Sequence, residues 1–277
     1  MKVMIKKNYE GMSEEAARVV KERLLEKPDL VLGLATGSTP LGLYQELVRM
    51  HREEGLSFKK VRTFNLDEYH GLSPEHPQSY RYFMNANLFS QIDIDLANTN
   101  IPDGLAKNVG KYCLEYEEKI EKCGGIDLQI LGIGGDGHIG FNEPGSSLAS
   151  RTRIKILDEQ TVKDNSRFFK SIDEVPRYAI TMGVGTVMDS KEIILLASGK
   201  NKARIIAKTI EGPVTSQITA SMLQVHPKVI VILDEDAASS LKRKDYYKFV
   251  EEGAKKFGEN NNGVARLVSH CKQCYSR

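Results

Sequence analysis

The sequence predicts an α/β protein, Rossmann-like, with a largely parallel sheet covered by helices on both faces. Three observations lead there. Short, mostly β-branched runs recur along the chain and end in Gly, Ser or Asp loops. Longer segments with helical periodicity usually follow them. No internal repeat and no Pro- or Ser-rich linker interrupts the alternation. Strands that alternate with helices are joined by crossovers, which sets neighbouring strands parallel and lays helices over the sheet.

In order, Val3–Lys6 is the first such run, and Glu14–Leu25 is the first helix-period segment. Leu30–Ala35 ends in a hydroxyl-rich glycine loop and leads into a helix over Leu41–Arg52. Val61–Asn65 ends at a pair of acids, with helices at Tyr80–Leu88 and Val109–Cys123 beyond them. Leu128–Ile133 opens a glycine-dense loop. Ile154–Leu157 and Tyr178–Thr181 are further strands. Ile193–Ala197 leads into a helix over Lys202–Ile210, and Val229–Leu233 precedes the last helix, Lys242–Phe257. Ligands in such sheets gather beyond the carboxyl ends of the strands. A site is therefore expected in the loops after Ala35, Asn65, Ile133 and Ala197. Residues 1–257 are expected to form a single domain, and the break GENNNG begins a tail, residues 258–277, expected to be flexible.

Composition removes several function classes. Among 277 residues no apolar run approaches the roughly 18 that suggest a membrane span. The N-terminus lacks the apolar core of a signal peptide, so a cytoplasmic location is expected. A formal net charge of +2 gives no basic footprint for nucleic acid, and any anionic ligand is expected to be small. Cys113, Cys123, Cys271 and Cys274 are scattered and form no secreted disulfide framework. The C-x-x-C pair in the tail lacks a second ligand set and is read as unpaired thiols.

Thr36, Gly37, Ser38 and Thr39 lie between a strand and a helix, with Pro40 suited to the first helical turn. Backbone N–H groups, hydroxyls and a helix N-terminus together suit a phosphate monoester. No Walker lysine follows, which disfavours a nucleoside triphosphate. The same segment also fits a simple capped turn. Arg167 and Lys202 could complete an anion site, the first as a fork and the second as a point charge.

Asp67 and Glu68 stand side by side at a strand end, where neighbours point to opposite sides, so one can face a cleft while the other faces away. A carboxylate near its ordinary pKa is ionised at neutrality and can act as a base. The segment from Gly132 to Pro144 nominally contains the dinucleotide pattern GxGxxG twice, beginning at Gly132 and Gly135. That reading fails because the pattern must open a helix, whereas here glycines continue to Gly140 and Asn142-Glu143-Pro144 follows. Asp136, His138 and Glu143 instead form an acid–base unit, an imidazole with carboxylates to orient it. Metal binding is the weaker reading, since no second histidine has ligand spacing to His138.

The segments LATGSTPLGLY, FNLDEYHGL, EHPQSY, GIGGDGHIGFNEPGSSLASRTRIK, NSRFF, ITMGVGTVMD and LQVHP occur in the order found in glucosamine-6-phosphate deaminases. From about Leu30 to Leu233 the chain resembles that family. The resemblance implies that Asp67 moves a proton from the second sugar carbon to the first. It implies that His138 opens the pyranose ring, with Asp136 and Glu143 tuning the imidazole. Thr36, Gly37, Ser38, Thr39, Arg167 and Lys202 would hold the substrate phosphate. No organic cofactor and no metal is implied. Hexameric members carry an allosteric site for N-acetylglucosamine 6-phosphate at subunit contacts, to which Ser146, Ser147, Arg153 and Lys155 correspond, so a homo-oligomer, a hexamer by resemblance, is expected. The sequence departs from some members near its C-terminal helix, where Lys248 stands in place of an aromatic residue and Tyr247 precedes it. A phosphogluconolactonase, a pentose-phosphate isomerase and a noncatalytic sugar-phosphate sensor are the competing readings. The joint presence of the Asp-Glu-Tyr and Asp-Gly-His segments favours the deaminase, because ring opening and enolisation need both. No N-terminal helix-turn-helix supports the sensor.

Overall fold

A computed structural model gives the structure of residues 1–256. The expected tail, with Cys271 and Cys274, lies outside the described residues. In chain order the elements are β1 (Lys2–Lys6), α1 (Tyr9–Glu26), β2 (Val31–Leu34), α2 (Leu41–Glu54), β3 (Arg62–Asn65), β4 (Asp67–Tyr69), α3 (Tyr80–Asn87) and β5 (Thr99–Asn100). There follow α4 (Val109–Lys122), β6 (Leu128–Leu131), β7 (Arg153–Ile156), α5 (Glu159–Asn165), β8 (Tyr178–Thr181), α6 (Val184–Met188), β9 (Ile193–Ala197), α7 (Ala203–Glu211), β10 (Val229–Asp234) and α8 (Lys244–Lys256).

Seven strands form a sheet in the order β1-β10-β9-β6-β2-β3-β5, every pair parallel. Alternation along each strand feeds two separate cores. On β9, Ile194 and Leu196 pack on one face with α1 and α2 residues such as Val20 and Leu47. Ile193 and Leu195 pack on the other with Tyr116 of α4 and Ile206 of α7. Both faces are therefore covered, and the strands read as unbroken apolar runs.

Local chemistry sets the helix ends. Helix α1 begins five residues before its expected start because Asn8 caps it, accepting from the N–H of Gly11 at 3.1 Å. Helix α2 stops at Gly55, whose φ of 72° is a left-handed C-cap.

The sequence reading is corrected in one respect. Ile154–Leu157 and Tyr178–Thr181 do not extend the parallel sheet. They correspond to β7 and β8, which join β4 in a separate antiparallel sheet of order β4-β8-β7. Asp67, Glu68 and Tyr69 are not the end of β3 but a strand of their own. Leu66 sits between the two sheets: its N–H donates to Leu34 O of the large sheet at 3.0 Å, and its carbonyl accepts from Met182 N, just past β8, at 2.7 Å. Beneath the small sheet Tyr69, Phe141, Leu157, Val162, Val175 and Ala179 make a core of their own. Among the described residues, no helix is long and apolar enough to cross a membrane.

Candidate active site

The chain runs from β2 outward to β3 and β5 on one side, while β6 is followed by β9 and β10 on the other. Strands β2 and β6 are adjacent, so their carboxyl ends flank the point where the direction of winding reverses, the usual ligand crevice of open parallel sheets. A cavity of about 900 Å³ lies there. All four loops singled out from the sequence reach it, contributing Thr36 to Thr39, Leu66 and Asp67, Gly132 to Phe141 in part, and Ser198, Asn201 and Lys202.

The phosphate candidates converge. Thr36, Gly37, Ser38, Thr39, Arg167 and Lys202 all line this cavity. Pro40 occupies the N-cap of α2 without a side-chain cap, so the cavity-side N–H groups of the first turn carry the helix's partial positive charge. Lys202 donates from Nζ to Ile133 O at 2.8 Å, which ties the loop after β9 to the loop after β6. Burial depresses its pKa; Arg167 acts in the same direction, and Asp164 and Asp136 oppose both. The Arg167 guanidinium lies 4.7 Å above the Phe168 ring at the cavity edge.

The acid–base candidates occupy two levels. Asp67 and His138 line the cavity, whereas Asp136 and Glu143 do not. The two carboxylates address the same ring atom: His138 Nδ1 is 2.8 Å from Asp136 Oδ1 and 3.4 Å from Glu143 Oε2. These contacts are ion pairs rather than well-directed hydrogen bonds. Burial disfavours a charged imidazole, but the two carboxylates outweigh it and raise the His138 pKa to about 9. The imidazole titration is therefore displaced above neutrality. Against the opposing effect of burial, the imidazolium lowers the pKa of both Asp136 and Glu143. The ligand atoms of the three residues lie within 4.8 Å of one another, a spacing a cation could also bridge. A single imidazole nitrogen with two carboxylates is closer to a proton site than to the usual nitrogen- and sulfur-rich zinc set.

Asp67 also departs from the sequence reading. It is buried, and burial together with the neighbouring Glu68 pushes its carboxyl up to about 8, while His138 pulls the other way. An ordinary carboxylate pKa was expected; loss of solvent around the carboxyl is why it does not hold.

Two glycines set these distances. A Cβ on Gly134 would fall 2.4 Å from the His138 ring, so only glycine lets the imidazole lie against the loop. Gly140, at φ +55°, would place a Cβ 3.0 Å from Thr181 Oγ1 and 3.3 Å from Asp67 Oδ2. Among the described residues no helix opens at Gly132 or Gly135, in keeping with the rejection of a dinucleotide loop.

Residues 6–231 match the family model of glucosamine-6-phosphate isomerases and 6-phosphogluconolactonases. The chain belongs to this family. Within it, a protein of Thermoanaerobacter pseudethanolicus named glucosamine-6-phosphate deaminase is 56% identical over 245 residues, covering 88% of the chain and 97% of that relative. One of the same name from Shewanella woodyi is 52% identical over 268 residues, covering 97% and 99%. A solved structure of a monomeric glucosamine-6-phosphate deaminase is 48% identical and superposes with a TM-score of 0.85, covering 87% of the chain and all of that protein. A 6-phosphogluconolactonase from Trypanosoma cruzi shares the fold, with 22% identity, a TM-score of 0.69, and coverage of 87% and 97%.

The family's regulatory candidates lie outside the cavity lining. Ser146 is buried and donates its N–H to Glu143 O at 3.0 Å, while Ser147 is exposed. Arg153 and Lys155 are half-buried on β7. Arg153 donates from Nη1 to Asn142 Oδ1 at 2.9 Å and to Arg151 O at 3.2 Å. Among the described residues these bonds do not join the serines to the basic pair. On α8, Tyr247 and Lys248 pair with Glu211 and Glu235 respectively.

Several site residues were missed by sequence reasoning. Asn142, treated as a helix terminator, is a buried clamp whose Nδ2 donates to Ile139 O and Met182 O, both at 2.8 Å. Gln78, Tyr80 and Phe83 wall the cavity from the segment entering α3, and Phe169 from the segment after α5. The signal for Gln78, Tyr80 and Phe169 was present in EHPQSY and NSRFF, but no pattern of spacing links either segment to the glycine loop.

Proposed function

We propose that the chain is a glucosamine-6-phosphate deaminase that isomerises its substrate and releases ammonia, giving fructose 6-phosphate. One observation carries this reading: a buried carboxyl and a carboxylate-backed imidazole face a single cavity that also presents Arg167, Lys202 and the Thr36–Thr39 loop. The sugar phosphate is held at its unreactive end by those phosphate ligands, which fixes the first two carbons against the acid–base groups. His138, an imidazolium at neutrality, gives its proton to the ring oxygen and takes back that of the anomeric hydroxyl, opening the ring. Asp136 and Glu143 stabilise the imidazolium from which the exchange starts and to which it returns. Asp67 then removes the proton on the second carbon and delivers it to the first, producing a ketimine that water hydrolyses to the ketose and ammonia. With its pKa raised to about 8, Asp67 holds its proton near neutrality until the substrate ammonium arrives beside it and favours the anion.

Incubating the pure protein with glucosamine 6-phosphate and measuring ammonia and fructose 6-phosphate tests the reading. Binding without turnover would sink it, and hydrolysis of 6-phosphogluconolactone in place of deamination would move the chain to the other branch of its family. A regulatory role for Ser146, Ser147, Arg153 and Lys155 is favoured by Arg153, whose guanidinium has no carboxylate partner among the described residues. The expected outcome is activation by N-acetylglucosamine 6-phosphate that Arg153→Ala removes. Exposed Ile154 and Ile156 on β7 suit a homo-oligomeric contact, to be read by sedimentation.

A further inference from the structure

Two buried carboxyls stand next to each other on β4, and the proposed reaction uses only Asp67. Glu68 is 2% exposed and lies outside the cavity. Its Oε1 accepts from the N–H groups of Tyr69 and Tyr80, and its Oε2 from that of Arg81, all at 2.9 Å. Tyr80 and Arg81 open α3, whose first N–H groups have no carbonyl partners within the helix and carry partial positive charge. Asp67, by contrast, accepts no hydrogen bond among the described residues.

We propose that Glu68 is a positioning residue for proton transfer: held by the first turn of α3, it ionises ahead of its neighbour, and its negative charge makes Asp67 a stronger base than an ordinary carboxylate. The inference rests on the reading of Asp67 as the base. Three donated N–H bonds stabilise the Glu68 anion, so as the pair loses protons Glu68 ionises first. Burial and the charge on Glu68 then make Asp67 the carboxyl that keeps its proton longest. The pKa values follow this order: burial raises Glu68 to about 7, and burial together with Glu68 raises Asp67 to about 8.

Other groups around the pair do not replace this charge. Tyr69 on the same strand, Tyr80 on α3 and Tyr116 on α4 are pushed above their ordinary pKa by burial and stay neutral. Arg81 gives its guanidinium to Thr99 Oγ1 and Thr99 O rather than to Glu68. His138 favours the Asp67 anion and so acts against Glu68. The same three bonds fix Tyr80, whose ring stacks on Phe141 at 6.1 Å and walls the cavity. Glu68 thus holds both the strength of the base and the Tyr80 wall of the cavity.

The test is the pH dependence of kcat/KM, which reports groups of the free enzyme, in the wild type, Glu68→Gln, Glu68→Asp and Asp67→Asn. Glutamine keeps the size and one accepting oxygen without the charge. The acidic limb is expected to move down by about one pH unit, since loss of a neighbouring like charge lowers the pKa of a carboxyl. Aspartate is too short to reach α3, so its buried anion loses the N–H bonds that ionise Glu68 first; the limb is expected to move down as in Glu68→Gln, and KM to rise as Tyr80 loses its hold. An unmoved limb in Glu68→Gln, with Asp67→Asn inactive, overturns the inference and leaves the base assignment standing; normal turnover by Asp67→Asn overturns the base assignment itself. If Glu68→Gln does not fold, carboxyl carbon NMR of the substrate-free wild type decides: Glu68 should titrate below Asp67, and the reverse order refutes the proposal.

Discussion

The large parallel sheet and the small antiparallel one meet at the same cavity but contribute to it differently. From the large sheet come the Thr36–Thr39 loop, the glycine loop and Lys202, all at strand ends where backbone N–H groups and a helix terminus are available for an anion. From the small sheet comes Asp67, a side chain on a strand, held in register opposite Thr181, which pairs on its other side with Arg153. The contrast teaches that holding the substrate falls mainly to loops and moving its carbon-bound proton to a strand. A strand fixes the direction of a side chain more tightly than a loop does.

The largest effect that would break this division is Asp67→Asn. Turnover should fall by about 10²–10⁴-fold with KM nearly unchanged, as followed by ammonia release; a change confined to KM would place Asp67 among the binding groups. Next is the junction itself. Leu66→Ala, at a residue 3% exposed, should cost about 2–5 kcal/mol in denaturant unfolding, and a cost under about 1 kcal/mol would show that the sheets are not packed through it. Lys202→Ala should weaken substrate binding by about 1.5–3 kcal/mol, the worth of a charge-assisted hydrogen bond, with kcat little altered. Kinetics showing a loss mainly in kcat would blur the comparison.

Smaller effects sharpen it. Asp136→Asn removes one of the two negative charges beside His138, so the imidazole pKa should fall from about 9 toward its usual 6.5; histidine NMR showing no fall would mean that Glu143 suffices. Asp67 has its folded pKa raised, so its ionisation opposes folding, and stability is lost progressively as pH rises from about 4 toward 8. Asp67→Asn should therefore melt above the wild type at pH 8 and alongside it at pH 4, each kcal/mol appearing as roughly 2–4 °C. Equal melting at both pH values would contradict the burial of an uncompensated carboxyl.

The two sheets also differed in how legible they were. Strands buried on both faces, such as Ile193–Ala197, announce themselves as continuous apolar runs, and the loops at their ends followed from the alternation. Strand β4 contains Asp67 and Glu68 and is only three residues long. The far strand of the same sheet, β7, exposes Ile154 and Ile156 while half-burying Arg153 and Lys155, the reverse of an apolar-in, polar-out pattern. Neither carries a periodic signal of its pairing, and that of β4 with β8 is set by contacts across more than a hundred residues. The acid–base residues were readable because Asp, His and Glu cluster within a short glycine-rich stretch. Their pKa values were not, since burial and the neighbour's hydrogen bonds decide them. The capture of Glu68 by α3 and the clamp at Asn142 join segments whose approach only the fold determines.

Leu66 has a consequence for dynamics. With its N–H on Leu34 and its carbonyl on Met182, the peptide that precedes Asp67 is tethered to both sheets. Its amide proton should exchange with solvent only when the sheets come apart, on the timescale of global unfolding rather than of local fraying. The Asp67 carboxyl then has little private motion to lend to a catalytic cycle. Whatever adjusts when a sugar phosphate enters must be the opposite bank of the cavity, which can yield without disturbing the acceptor.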